Sequence, residues 1–258
     1  MKDSIFAIRR TLQNYTNGGY VLIMVTVLAM IIANSPLASM YFSWWNVPVS
    51  LQIGNTMDKN EILNSDYDVR VSVAENPSTS VDVLTELAKD RDWYIRSYAA
   101  CNPNMLVDVL TELSKDSDYI VRCLVARNPN TPTGVLTELA KDSQWVVRRY
   151  AACNPNMPVD VLAELAKDIN WYVRVSVAEN PSTPVDVLTE LAKDSDWEVR
   201  AKVAENPNTP ADVLMKLAES GNSVVRKNAA GNPNIPAGVL IELSKDEDDR
   251  VVSRMVGK

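Results

Sequence analysis

From Asn64 to the C-terminus, hydrophobic and polar positions recur with a single period. Asn-Pro occurs at Asn76-Pro77, Asn102-Pro103, Asn128-Pro129, Asn154-Pro155, Asn180-Pro181, Asn206-Pro207 and Asn232-Pro233, always 26 residues apart. Arg70, Arg96, Arg122, Arg148, Arg174, Arg200 and Arg226 keep the same spacing, as do leucine pairs from Leu84/Leu87 to Leu240/Leu243. In the unit PSTPVDVLTELAKDSDWEVRAKVAEN (181–206), Val187, Leu188, Leu191 and Ala192 share one face at helical spacing. Thr183 reads as its N-cap, Pro184 as a first-turn residue and Asp186 as part of a capping-box-like pattern. A second short helix turns Val199, Val203 and Ala204 inward. It stops at Asn206-Pro207, because proline pushes the preceding residue out of the α region. Each unit is therefore predicted to be two short helices, one of them 3₁₀ in character. So few core side chains cannot offset the entropy of ordering a whole unit, so the units must stack.

The predicted fold class is all-α. It is a right-handed solenoid of seven 26-residue two-helix repeats plus a half repeat, preceded by one transmembrane-type helix and a candidate short β-hairpin. The array occupies residues 64–258, with units starting at 77, 103, 129, 155, 181, 207 and 233. The half repeat enters at its second helix. Glu61 sits where other units have leucine, so a first helix is not expected there.

The recurring VLTELAKD, VR and VAENP segments resemble the leucine-rich repeat variant family and, more loosely, HEAT-like repeats. The resemblance implies a superhelix of alternating α- and 3₁₀-helices. One member type carries an iron–sulfur cluster on cysteines before the repeats. No cysteine precedes Cys101 here, so no cofactor is carried over.

The first residues differ in kind. Thr11–Met57 holds no charged residue, and Gly18–Ala38 is about one bilayer width long as a helix. Tyr15 and Tyr20 flank it on one side, and Tyr41, Phe42, Trp44 and Trp45 on the other, in the manner of interfacial belts. Arg9 and Arg10 precede it, which predicts a single-pass membrane protein with a cytoplasmic N-terminus. The competing readings are a cleaved signal peptide and a buried core helix. Residues 1–17 form an amphipathic tail, 18–38 the span and 39–63 a hairpin and linker. The stretch GGYVLIMVTVLAMIIANSPLASMYFSWWNVPVSLQIGN (18–55) resembles the start of the NhaA sodium/proton antiporters, whose first helix ends at ANSPL and leads into a dimerisation hairpin, here about Val47–Asp58. Transport in that family uses intramembrane aspartates, and no position here matches them.

Composition narrows the function. Net charge is −7, and residues 1–57 contribute +2 (Lys2, Arg9 and Arg10 against Asp3), leaving −7 − 2 = −9 for the rest. That argues against a nucleic-acid partner. There is no histidine, and three cysteines, Cys101, Cys123 and Cys153, make neither a disulfide framework nor a zinc site. No nucleophile–base pair or phosphate loop stands out, so catalytic and metal residues are predicted absent. The free thiols favour an interior location for the array and the flanking charges an exterior one, which leaves its side open.

Two sets of positions invite a role. Asp90, Asp116, Asp142, Asp168 and Asp194 each precede Arg96, Arg122, Arg148, Arg174 and Arg200 by six residues. They read as a structural ladder of Asp–Arg pairs and helix-end hydrogen bonds, against the alternative of a charged binding rail. The Asn of each Asn-Pro reads as a loop cap. Trp93, Tyr119, Trp145, Trp171 and Trp197 share one phase and read either as inter-unit packing or as an aromatic stripe for a partner. The next position varies (Asp68, Tyr94, Ile120, Val146, Tyr172, Glu198), as do Ser97/Tyr98, Cys123/Leu124, Arg149/Tyr150 and Lys202. Variation within one array marks a surface that stacking does not dictate. The predicted binding surface is Trp93, Tyr94, Tyr98, Tyr119, Trp145, Tyr150, Trp171, Tyr172 and Trp197. The expected function is a membrane-tethered, non-enzymatic scaffold for a protein or peptide. The alternatives are a truncated antiporter N-terminus fused to a repeat array without transport, and a regulatory or accessory subunit of an enzyme.

Overall fold

Each VDVLTEL-type segment places two adjacent apolar residues and a third one turn later on a single side, and each forms an α-helix of seven or eight residues. The following W-x-V-R-type segment forms a nine-residue one. The computed structural model describes residues 59–256. Among these residues there are sixteen α-helices and no strand. The first helices of the units are α1 (Lys59–Leu63), α3 (Val81–Leu87), α5 (Val107–Leu113), α7 (Thr133–Leu139), α9 (Val159–Leu165), α11 (Val185–Leu191), α13 (Ala211–Ala218) and α15 (Ala237–Leu243). The second helices are α2 (Tyr67–Glu75), α4 (Trp93–Cys101), α6 (Tyr119–Arg127), α8 (Trp145–Cys153), α10 (Trp171–Glu179), α12 (Trp197–Glu205), α14 (Ser223–Gly231) and α16 (Asp249–Val256).

The helices form two layers. Neighbouring second helices pack against one another along the array, while each first helix lies against its own second helix and, in most units, against the preceding one. Leu84, Leu110, Leu136, Leu162, Leu188 and Leu214 are wholly buried between the layers, with Val121, Val147, Val173, Val199 and Val225. Each such leucine contributes about 2 kcal/mol by its removal from water. Alanine pairs such as Ala151-Ala152 and Ala229-Ala230 are fully buried, and their small side chains let neighbouring second helices approach closely.

Three expectations are corrected. Both helices of a unit are α-helical, because nine residues supply enough i→i−4 bonds to favour the α form over 3₁₀. Thr183 does not cap α11: Pro184 takes the N-cap position in extended backbone, and Asp186 Oδ1 accepts only the adjacent Val187 N–H. The Thr183 hydroxyl instead donates to the Val177 carbonyl, satisfying a buried end of α10. The half repeat also has a first helix, the five-residue α1, whose Ile62 is fully buried. The predicted span 18–38 and hairpin 47–58 lie outside the described residues. Among those described, no helix is long and apolar enough to cross a membrane.

Candidate functional site

The two edges of the array are built from different polar ladders. At one edge, Asn102 Nδ2 donates to the carbonyls of Ala74 (2.9 Å) and Asn76 (3.0 Å) in the preceding unit, and its Oδ1 accepts the Asn104 N–H. Asn128, Asn154, Asn180 and Asn206 repeat this arrangement. These side chains are nearly water-free, so each caps its own loop and joins it to the unit before.

At the other edge, all but one of the ladder arginines reach forward to the next unit. Arg148 donates Nε and Nη2 to Asp168 Oδ2 and Oδ1 (2.6 and 2.9 Å) and Nη1 to the Asp142 carbonyl (2.8 Å). The carboxylate partner is therefore 20 residues later, in the next unit. The aspartate six residues earlier offers only its main chain. Arg96–Asp116, Arg122–Asp142, Arg174–Asp194 and Arg226–Asp246 repeat the fork, and Arg70 pairs with Asp90. Burial pushes the Asp116, Asp142, Asp168 and Asp194 carboxyls up, but the arginine and main-chain N–H bonds outweigh it and hold them below the usual range. One rung is missing. Position 220 is Ser rather than Asp, and Arg200 donates only to the carbonyls of Asp194 and Ser195.

The aromatic set lies along the second helices. Trp93, Tyr119 and Trp197 are exposed, and Trp145 and Trp171 are half-buried. A ring at the position after the tryptophan sits between two units: Tyr94 packs on Tyr67 (6.0 Å between centroids) and Trp93 (5.4 Å), and Tyr172 on Trp145 (5.1 Å) and Trp171 (3.7 Å). Tyr94 and Tyr98 share a hydroxyl hydrogen bond of 3.1 Å, which pushes the Tyr98 hydroxyl up to about 12. The aromatics therefore stack across units and still present ring area to solvent. Tyr150 lies beside Arg149, whose guanidinium is also 5.7 Å from the Tyr172 ring. Two variable positions do not join this surface. Ser97 and Cys123 are buried, Ser97 donating to the Tyr94 carbonyl, and burial pushes the Cys123 thiol up to about 12. Cys101 and Cys153 are free and exposed. No cluster of three or more potential metal ligands occurs among the described residues.

Residues 174–233 match the family model for the leucine rich repeat variant domain, and residues 67–92 and 120–144 match that for the leucine rich repeat variant. A solved structure described as a leucine-rich repeat variant with a novel repetitive protein structural motif is 26% identical. It covers 77% of this chain and 79% of that one, with a TM-score of 0.56. The array has the leucine-rich repeat variant fold. Upstream of these repeats, residues 9–68 match the Na+/H+ antiporter 1 model. The Na(+)/H(+) antiporter NhaA of Phocaeicola vulgatus is 47% identical over 49 residues, 19% of this chain and 11% of that protein. Its counterpart in Histophilus somni is 45% identical over 56 residues, 22% of this chain and 14% of that protein. The chain thus spans 11% to 14% of the length of these curated relatives.

Proposed function

We propose that the leucine-rich repeat variant array is a non-enzymatic docking scaffold for a protein or peptide, held at a membrane by residues 18–38. One observation carries the docking reading. The second-helix layer exposes an aromatic row in which Trp93 and Trp197 keep 37% and 39% of their surface in water. Stacking does not require an aromatic there, since the same position is Ser223 in the unit starting at 207. Partly exposed Trp and Tyr supply large, rigid contact area and favour binding hot spots. The test places a photo-crosslinking residue at Tyr172 on this layer or at Asp160 on the first-helix layer. Crosslinked partners are expected from position 172 alone. Equal crosslinking from both positions, or from neither, refutes the reading.

The antiporter match favours a second reading, in which residues 9–68 derive from an antiporter N-terminus joined to the array and the chain catalyses no exchange. Vesicles reconstituted with the full chain and a pH-sensitive dye test it, and sodium-dependent proton flux above empty vesicles overturns it. Carbonate washing tests the anchor: release of the full-length protein into the supernatant removes residues 18–38 from that role.

A further inference from the structure

Three consecutive second helices, WYIRSYAAC (α4), YIVRCLVAR (α6) and WVVRRYAAC (α8), contain no Asp or Glu. Nor does α14 (SVVRKNAAG), further along an otherwise acidic array. By contrast, α2, α10 and α12 each end in glutamate. Two arginines in this stretch lie outside the ladder. Arg127, exposed in the last turn of α6, and Arg149, in the middle of α8, have no carboxylate partner among the described residues. Arg149 is held by rings instead, 5.9 Å from the Tyr150 centroid and 5.7 Å from that of Tyr172.

We infer that Arg127 and Arg149 form a carboxylate-recognition site for an acidic peptide segment that lies across α4, α6 and α8. This rests on the scaffold reading and names the partner's chemistry. A guanidinium is already ordered by cation–π contact in Arg149, so less side-chain entropy is lost on pairing. No acidic side chain on these three helices competes for the two charges. In register, Arg127 is flanked by Cys101 and Cys153, and Arg149 by Cys123 and Val175. The two arginines are one turn out of register on adjacent helices, which separates their Cα atoms by about 11 Å for an interaxial distance of about 10 Å and a 5.4 Å turn. An extended chain advances about 3.4 Å per residue, so carboxylates three residues apart meet both arginines. The intervening residues then lie between α6 and α8, and the chain beyond Arg127 continues toward α4. Glutamates at the ends of α2 and α10, and the Glu179–Lys202–Glu205 cluster, bound the site with negative charge. A long polyanion is disfavoured there, and a short acidic stretch is selected. Two arginines are also too few to hold the array on an anionic lipid surface, at about 1 kcal/mol each.

The test uses the full-length chain and three dye-labelled dodecapeptide pools that share Leu and Tyr positions and carry Glu, Gln or Lys at every third residue. Fluorescence anisotropy is expected to show the Glu pool binding at least tenfold tighter than the Gln pool, with the difference shrinking in high salt. The R127Q/R149Q double variant should erase that difference, while its urea midpoint stays unchanged because neither residue forms a rung. K216Q, which removes an exposed cation on α13, away from these helices, should leave it intact. If Glu and Gln pools bind alike, or the double variant still prefers Glu, the carboxylate site is refuted and the scaffold reading survives on its own. If no pool binds, both readings fail. If vesicles of phosphatidylglycerol bind more tightly than the Glu pool and lose that binding in the double variant, the site is a membrane contact and the peptide assignment is overturned.

Discussion

The missing rung at position 220 offers a direct measure of what the arginine fork contributes. Arg148→Ala removes a two-pronged bond to Asp168, whose side chain is only 7% exposed, together with bonds to the Asp142 and Ser143 carbonyls. It leaves a largely buried carboxylate held by one main-chain N–H, from Asn170. Removing one partner of such a pair costs about 3 kcal/mol. Arg200→Ala removes only the bonds to the Asp194 and Ser195 carbonyls, at 2.5 and 2.8 Å, and strands no carboxylate. Its cost should be about 1.5 kcal/mol. Ser220→Asp supplies the absent acceptor to an arginine already in place, and replaces the 3.3 Å contact from Asn222 N–H with a charge-assisted one. Hydrogen bonds to charged groups contribute about 1.5–3 kcal/mol, and desolvating the new carboxylate offsets much of that. A net gain of about 1 kcal/mol is expected. Urea melts of the full-length protein carrying each change provide the readout. Because solenoid stability is a sum of unit and junction terms, Ser220→Asp should also sharpen the transition. If Arg200→Ala costs as much as Arg148→Ala, or if Ser220→Asp lowers the midpoint, the forward fork is not what fastens neighbouring units.

Stability should fall in acid. The ladder carboxyls sit below their ordinary value of 3.8 in the folded chain, so unfolding takes up protons as pH drops. Their contribution is complete above that value and lost as pH falls below it through the folded values. Urea midpoints should be flat from about pH 8 to pH 6 and decline below about pH 4. A midpoint rising in that acid range would contradict the paired state. At the opposite edge, Asn154→Asp replaces a donor to two carbonyls, at 2.7 and 3.0 Å, with an acceptor facing acceptors. It should cost about 3 kcal/mol, and a loss below about 0.5 kcal/mol by chemical denaturation would remove the Asn ladder from the junction. Ile62→Asp places a charge at a site with no water access and should cost about 3 kcal/mol or more. An unchanged midpoint would show that α1 does not close the array.

The repeat register, the two-helix unit and the buried leucine face were all legible in the sequence, because one period repeated seven times fixes phase without any structure. What periodicity cannot specify is which neighbour a side chain reaches. Asp142 and Arg148 are six apart in the chain. Yet Arg148 spends its fork on Asp168 and takes from Asp142 only a carbonyl. Any residue present in every unit has a copy on either side, so the sequence is equally consistent with pairing within a unit and between units. The same ambiguity hid the role of the Asn-Pro asparagines, which read as local caps and are also bridges. Thr183 misled for another reason: its hydroxyl had a better acceptor in the buried Val177 carbonyl than any N–H of the helix it precedes. Variation between units proved a mixed guide to exposure. It marked Tyr172, which is 40% exposed, but also Ser97 and Cys123, which are not.

Residues 59–70 close the N-terminal end of the array in a way that neither resemblance anticipates. The antiporter match ends at residue 68 and the repeat match begins at 67, so no linker separates them in sequence. A boundary between independent segments would leave the first unit of the array with an uncovered apolar end, which solenoids must cap. Here α1, wholly inside the antiporter-matched stretch, buries Ile62 against the array, and Lys59 lies 3.4 Å from Glu86 of α3. Ser65 bonds back to the Ile62 carbonyl, and Arg70 donates to the Ser65 carbonyl while pairing with Asp90 in the following unit. The first rung of the ladder therefore fastens the capping turn and the next repeat together. Glu61 occupies the expected leucine position and is exposed, while Ile62, one residue later, takes over the burial. That one-residue shift makes the cap invisible to a search in strict register, and it lets residues outside the repeat pattern perform a task that the array needs.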